Sequence, residues 1–157
     1  MYEPVTQWEL DTKHGPRPGV VAFRDTVLFW TRPKGAYDAG IYNRRVRRGR
    51  IGRLTPATAS LHAVGRAWDC GVPDARVDAS VGQEIAWRAV VAADACGIVE
   101  VIWNRQRWTA DKGSVPYGGV DPHTSHVHIG FSQTVADSPA THDNLVKWYT
   151  AALFGFH

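Results

Sequence analysis

Sulfur is scarce in this chain: its 157 residues include two Cys and one Met. Two cysteines are too few for a disulfide framework, and no Cys-x-x-Cys pair suggests a zinc knuckle or a redox motif. Cys70 and Cys96 read as buried free thiols, and nothing in the sequence supports a bridge between them. Cys70 adjoins Asp69, but neighbours on an extended strand point to opposite faces. Long apolar runs are also missing, since no window approaches the ~18 unbroken apolar residues of a membrane span. The N-terminus, Met1-Tyr2-Glu3-Pro4-Val5, lacks a basic region followed by an apolar stretch. No Sec-type signal is therefore expected, and the protein is expected either to be made soluble in the cytoplasm or to be excised from something longer. Internal repeats and low-complexity tracts are absent, so one domain over 1–157 is expected.

What remains is an ordinary globular composition, 44% hydrophobic and 21% charged, with seven Trp and fifteen Gly. Scattered Gly and Pro point to a loop-rich α+β domain and away from a helical bundle. The net charge is +3 and concentrated in one place, where Arg44, Arg45, Arg47, Arg48, Arg50 and Arg53 lie within ten residues. Such a run suits a solvated loop that lends one or two arginines to a site, or a surface for a polyanion such as a wall polymer. Nucleic-acid binding is a minor alternative, because no aromatic interleaving or recognition motif accompanies the run.

Local patterns predict the elements. Residues 20–30, rich in β-branched and aromatic side chains, read as a strand. Thr31 to Ala59 reads as a long irregular stretch, and Arg66 to Asp69 as a short strand with Ala67 and Asp69 on one face. Ser80-Val81-Gly82-Gln83 has capping-box form ahead of a helix whose apolar residues include Ile85, Ala86, Ala89, Val90 and Ala93, stopped by Gly97. Ile98 to Trp103 reads as a buried strand, Asn104 to Pro122 as a loop, and Ser125 to Phe131 as a strand. Ser138-Pro139 predicts a last helix with Leu145, Val146, Tyr149 and Leu153 as its stripe.

The chemistry concentrates in two clusters. On a strand, His126 and His128 face one side while Val127 and Ile129 face the core, so both imidazoles can meet one metal, or one binds while the other works on substrate. Roughly sixty residues earlier, His62 and Asp69 flank Gly65, whose freedom permits a tight bend that brings the carboxylate back beside the imidazole. Two imidazoles and one carboxylate with an open fourth position are what a hydrolytic zinc ion uses. Trp103, Trp108 and Tyr117 are candidates to line a groove, and His123 to line the cleft or sit in a loop. His14, His142 and His157 have no partners nearby in sequence.

Ser60-x-His62-x-x-Gly65-x-Ala67-x-Asp69 followed by His126-x-His128 resembles the zinc peptidases that group lysostaphin, D-Ala-D-Ala carboxypeptidases and the hedgehog signalling domain. It is most similar to the phage endolysin and D-alanyl-D-alanine carboxypeptidase-like branch that cuts peptidoglycan stem peptides. The likeness runs from about Ile41 to Phe131 and includes Ile41-Tyr42-Asn43, Trp103-Asn104 and Asp121-Pro122-His123. It implies an α+β fold in which a small antiparallel sheet, flanked by two or more helices, carries the zinc. By position it makes His62, Asp69 and His128 the ligands. Many members place a glutamate base before the last ligand. Here Thr124-Ser125-His126-Val127 offers no carboxylate, so the resemblance gives proton handling or oxyanion support to His126. Arg45 matches the family's assisting arginine best, with Arg44 and Arg48 as rivals, and Ser60 becomes a donor to Asp69 or His62.

The resemblance therefore implies a monomeric zinc metallopeptidase acting on stem peptide, as a phage endolysin of L-Ala-D-Glu type. Such an enzyme is made in the host cytoplasm and acts on the wall after release. A D-Ala-D-Ala carboxypeptidase and a zinc-bearing wall-binding or structural module are the alternatives.

Overall fold

A computed structural model describes residues 1–139 and Lys147. Helix α1 (Gln7–Thr12) opens on a capping box in which Thr6 and Glu9 satisfy each other's backbone amides. Helix α2 (Pro18–Thr31) replaces the strand expected over 20–30. Pro18 sits at its first turn, and Val20, Phe23, Val27, Leu28 and Thr31 are buried at helical spacing. That periodicity outweighs the β-propensity of the individual residues.

The remaining chain builds one antiparallel sheet from β1 (Tyr37–Gly40), β2 (Ala67–Gly71), β3 (Ile98–Trp103), β4 (Gln106–Thr109), β5 (Gly113–Pro116) and β6 (His126–Phe131). Their spatial order is β1-β2-β6-β3-β4-β5. The fold is α+β, as expected, and β2, β3 and β6 fall where the sequence places them. The expected irregular stretch contains β1, and the expected 104–122 loop contains β4 and β5. Asn104 and Arg105 both take positive φ, 44° and 66°, which forms the two-residue turn that matches hairpin twist.

Helices α3 (Ser80–Val91) and α4 (Ala93–Cys96) follow β2, and Gly97 stops the pair at φ 61°. The Ser80 capping box does not form: Ser80 lies inside the first turn, and its amide donates to Asp78. Helix α5 (Gln133–Asp137) is capped by Ser132. Ser138 and Pro139 lie beyond its end, and the predicted stripe of Leu145, Val146, Tyr149 and Leu153 lies outside the described residues.

Two apolar clusters sandwich the sheet. The larger holds Trp68, Val127, Ile129, Val101 and Trp103 under α2 and α3. The smaller, with Leu61, Val64, Ala67 and Val99, lies on the opposite face beneath α1 and a 3-10 turn at Leu61–Val64. Cys70 and Cys96 are buried free thiols. Burial pushes Cys70 to about 12 and Cys96 to about 11, so both stay neutral.

Candidate metal centre

The smaller face carries the polar cluster. Ser60 leads into the 3-10 turn that presents His62, and Gly65 ends that turn in the left-handed region at φ 70°. A Cβ on Gly65 would meet the Gly15 carbonyl oxygen at 2.1 Å, so the tight bend requires glycine. The chain then enters β2, where Asp69 pairs across the ladder with His128 of β6. Register alone therefore sets Asp69 against His128.

Three atoms converge: Nε2 of His62, Oδ1 of Asp69 and Nδ1 of His128. Their separations are 3.0 Å from His62 to Asp69, 3.1 Å from His62 to His128 and 3.1 Å from His128 to Asp69. Nδ1 of His62 donates to the Ile41 carbonyl at 2.7 Å, which leaves Nε2 with a bare lone pair. Only a shared proton or a cation reconciles such atoms at this distance. Bonds of ~2.0–2.1 Å at tetrahedral angles put ligand atoms about 3.4 Å apart, close to the spacing found. His62, Asp69 and His128 thus form a group able to hold a metal ion.

Glu100 completes the cluster, and sequence reading missed it. Oε1 of Glu100 lies 3.3 Å from Nε2 of His128, although off the line of a good hydrogen bond. Its Oε2 accepts from Nη2 of Arg107 at 2.6 Å. Strict alternation would set Glu100 on the same face as Ile98, in the larger core. A register shift between Ile98 and Glu100 leaves Val99 as an extra residue and turns the carboxylate to the metal face. The available signal was a lone carboxylate in the apolar run Ile98-Val99-Glu100-Val101-Ile102, since such groups are rarely buried unpaired.

Electrostatics follow from this packing. Burial works against ionisation of Glu100, but His128 and Arg107 overturn it and hold the carboxyl down at about 2. Burial alone would depress His128; Asp69 and Glu100 instead raise it to about 9. Contacts from His128 and His62 outweigh burial at Asp69 and keep its carboxyl far below the usual range.

Nε2 of His126 lies 4.0 Å from Oδ2 of Asp69. Burial, reinforced by His128 and His62, lowers the pKa of His126 despite Asp69 and Asp121, so its imidazole is neutral near pH 7. His123 is buried in the cleft, its ring centroid 4.6 Å from that of His126. Asp121, His123 and His126 form a second group with metal-ligand spacing. There, however, Asp121 already pairs with Arg48 at 2.7 Å and caps the His123 amide at 3.0 Å. The His62 group, with the bare Nε2 lone pair of His62 beside the converging Asp69 carboxylate, is the stronger cation site.

A cavity of about 370 Å³ opens over these groups, lined also by Tyr2, Arg45, Arg47, Arg48, Arg50, Arg107 and Tyr117. Arg45 reaches it with one long contact to the Val46 carbonyl, 3.4 Å, and no carboxylate partner among the described residues. Arg48 lines it while bound to Asp121. Arg44 points elsewhere, to the Leu10 carbonyl and His14. Oγ of Ser60 is buried without a hydrogen-bond partner and donates to neither His62 nor Asp69, contrary to expectation. Of the aromatic candidates Tyr117 lines this cavity, whereas Trp103 and Trp108 lie on the other face of the sheet. His142 and His157 lie outside the described residues.

Residues 36–128 match the family described as VldE, C-terminal domain. The chain belongs to this family. Its matched span begins one residue ahead of β1 and ends on His128, so the VldE C-terminal domain contains every residue of the His62 group together with Glu100, His123 and His126. No match was found among curated proteins or solved structures.

Proposed function

We propose that this protein is a zinc-dependent hydrolase of peptide bonds in the peptidoglycan stem peptide, related to the lysostaphin, D-Ala-D-Ala carboxypeptidase and hedgehog group. The observation that carries the reading is the convergence of His62, Asp69 and His128 at 3.0–3.1 Å, with the neutral imidazole of His126 beside them. Zinc held by that set would supply a Lewis acid and an acidified water, as open His/carboxylate sites do.

The chain's own residues supply the rest. The Ile41 carbonyl and the Glu100 carboxylate orient His62 and His128 from behind. His126, neutral at working pH, accepts a proton from the attacking water and returns it to the leaving amine. Arg45, with no carboxylate partner among the described residues, offers paired donors to a substrate carboxylate or to the developing oxyanion. Glu100 is a poor base, held near 2 and engaged with His128 and Arg107. The missing family glutamate is therefore not replaced by Glu100.

Digestion of purified peptidoglycan, with new termini identified by mass spectrometry, tests the proposal. New L-Ala carboxyl and D-Glu amino termini are expected; release of free D-Ala would assign a carboxypeptidase instead. His126→Ala is expected to retain metal and lose about 10²–10⁴-fold in turnover, the usual contribution of a positioned acid–base group. Asp69→Ala and His128→Ala are expected to lose metal and activity together. Undiminished wall lysis in either His126→Ala or His128→Ala would defeat the hydrolase reading and leave a zinc-bearing binding module.

A further inference from the structure

The sheet face opposite the metal carries a second cavity, of about 290 Å³, between α3 and the outer strands. Its size is near the lower end of ligand pockets, roughly 300–1,000 Å³. Strand register builds its wall, because Val101 pairs with Trp108 and Trp108 pairs with Ser114, putting all three on one face. Trp87 and Gln83 of α3 close the other side, and Asn104 and Gln106 rim the hairpin end.

Three features distinguish this cavity from an incidental gap in the core. Gly82 lets the Trp103 indole lie directly on α3: a Cβ there would fall 2.2 Å from the ring. Trp103 is only 4% exposed, yet its Nε1 has no hydrogen-bond partner. A buried donor left unpaired is costly, and an acceptor delivered by a ligand removes that cost. Finally, no charged side chain among the described residues lines the cavity, whereas five arginines line the one over the metal.

We infer that this pocket binds a neutral saccharide, most simply an N-acetylated sugar. Indole faces suit the apolar face of a pyranose ring, while the Gln83, Asn104 and Gln106 amides suit hydroxyl and acetamido groups. Reaching the buried Trp103 N–H requires the cavity wall to open around the sugar. A charged ligand finds no counter-ion here. The assignment is independent of the reaction at the metal cleft, so either reading can fail without the other.

Calorimetric titration of the full chain with N,N′,N″-triacetylchitotriose, with and without EDTA, is the test. Saturable binding with Kd at or below about 1 mM is expected, unchanged by EDTA. Trp103→Phe keeps the ring but removes the N–H, and exposed Gln106→Ala removes one amide; each is expected to weaken binding about 2- to 10-fold. Absence of saturation up to about 10 mM would overturn the assignment. Undiminished affinity in the Trp103→Phe/Gln106→Ala double variant would do the same by placing the sugar elsewhere. Preference for an apolar peptide over the trisaccharide would replace the saccharide with a different partner.

Discussion

Glu9→Ala is expected to be among the most damaging single substitutions in this chain. Glu9 is fully buried on α1 between two guanidinium groups that are themselves almost fully buried, Arg17 at 2% and Arg66 at 0% exposure. Its Oε1 accepts from Nη1 of Arg17 at 2.8 Å, and its Oε2 lies 3.3 Å from Nη1 of Arg66. Burial already disfavours the charged Arg66 guanidinium, and Glu9 is the first of the groups that counter it. Removing a buried partner typically costs about 3–5 kcal/mol, because the remaining charge stays desolvated. Arg17 retains Asp137 at 2.6 Å and Arg66 retains Glu3 at 3.5 Å, but both of these carboxylates are about 40% exposed and screened. Those contacts keep the estimate from rising further. Losing the Glu9 half of the capping box adds back ~0.5–1 kcal/mol. A total near ~4 kcal/mol corresponds to a fall in Tm of roughly 8–16 °C for a domain of this size. Urea unfolding followed by circular dichroism would measure it, with Glu9→Gln expected to lose about half as much. A loss below about 1 kcal/mol for Glu9→Ala, with an unchanged m-value, would refute the argument that these two arginines depend on one buried carboxylate.

Two further outcomes follow from the metal cluster. Glu100→Gln removes the carboxylate behind His128 and should weaken zinc binding about 10- to 100-fold in competition with a chromophoric chelator; unchanged affinity would remove Glu100 from the site. In the metal-free protein, His128 has a folded pKa of about 9 against 6.5 for the free side chain. Its stabilising contribution is therefore complete below pH 6.5 and disappears as pH rises through 9. Unfolding free energy measured in EDTA should fall on the order of 3 kcal/mol between pH 6 and 9. A flat profile would contradict the placement of His128 between two carboxylates.

Residue identity, spacing and the resemblance to the zinc peptidases together made the metal group legible. His62, Gly65, Asp69, His126 and His128 lie within two short segments, where local rules account for their approach: alternate residues of a strand share a face, and glycine turns a corner. The same rules located β2, β3 and β6. They failed over 20–30, where strand-forming residues occupy helical spacing and Pro18 starts a helix; periodicity, read first, would have predicted α2. They also missed β4 and β5, because the β3–β4 hairpin turns on Asn104-Arg105 without the usual glycine. Glu100 stood out as a lone carboxylate in an apolar run, but the face it takes was beyond local reasoning. Its side faces the metal only because the ladder with β6 slips by one residue at Val99, and cross-strand register is a property of two segments together. The buried ion cluster of Glu9, Arg17 and Arg66 likewise joins residues far apart in the chain, which no spacing rule connects. Sequence by itself therefore determined which groups can bind a metal and that a sheet presents them. Tertiary structure decided which carboxylate supports His128, which arginines reach the cleft, and that Trp103 and Trp108 belong to a separate pocket, because each depends on how distant strands align.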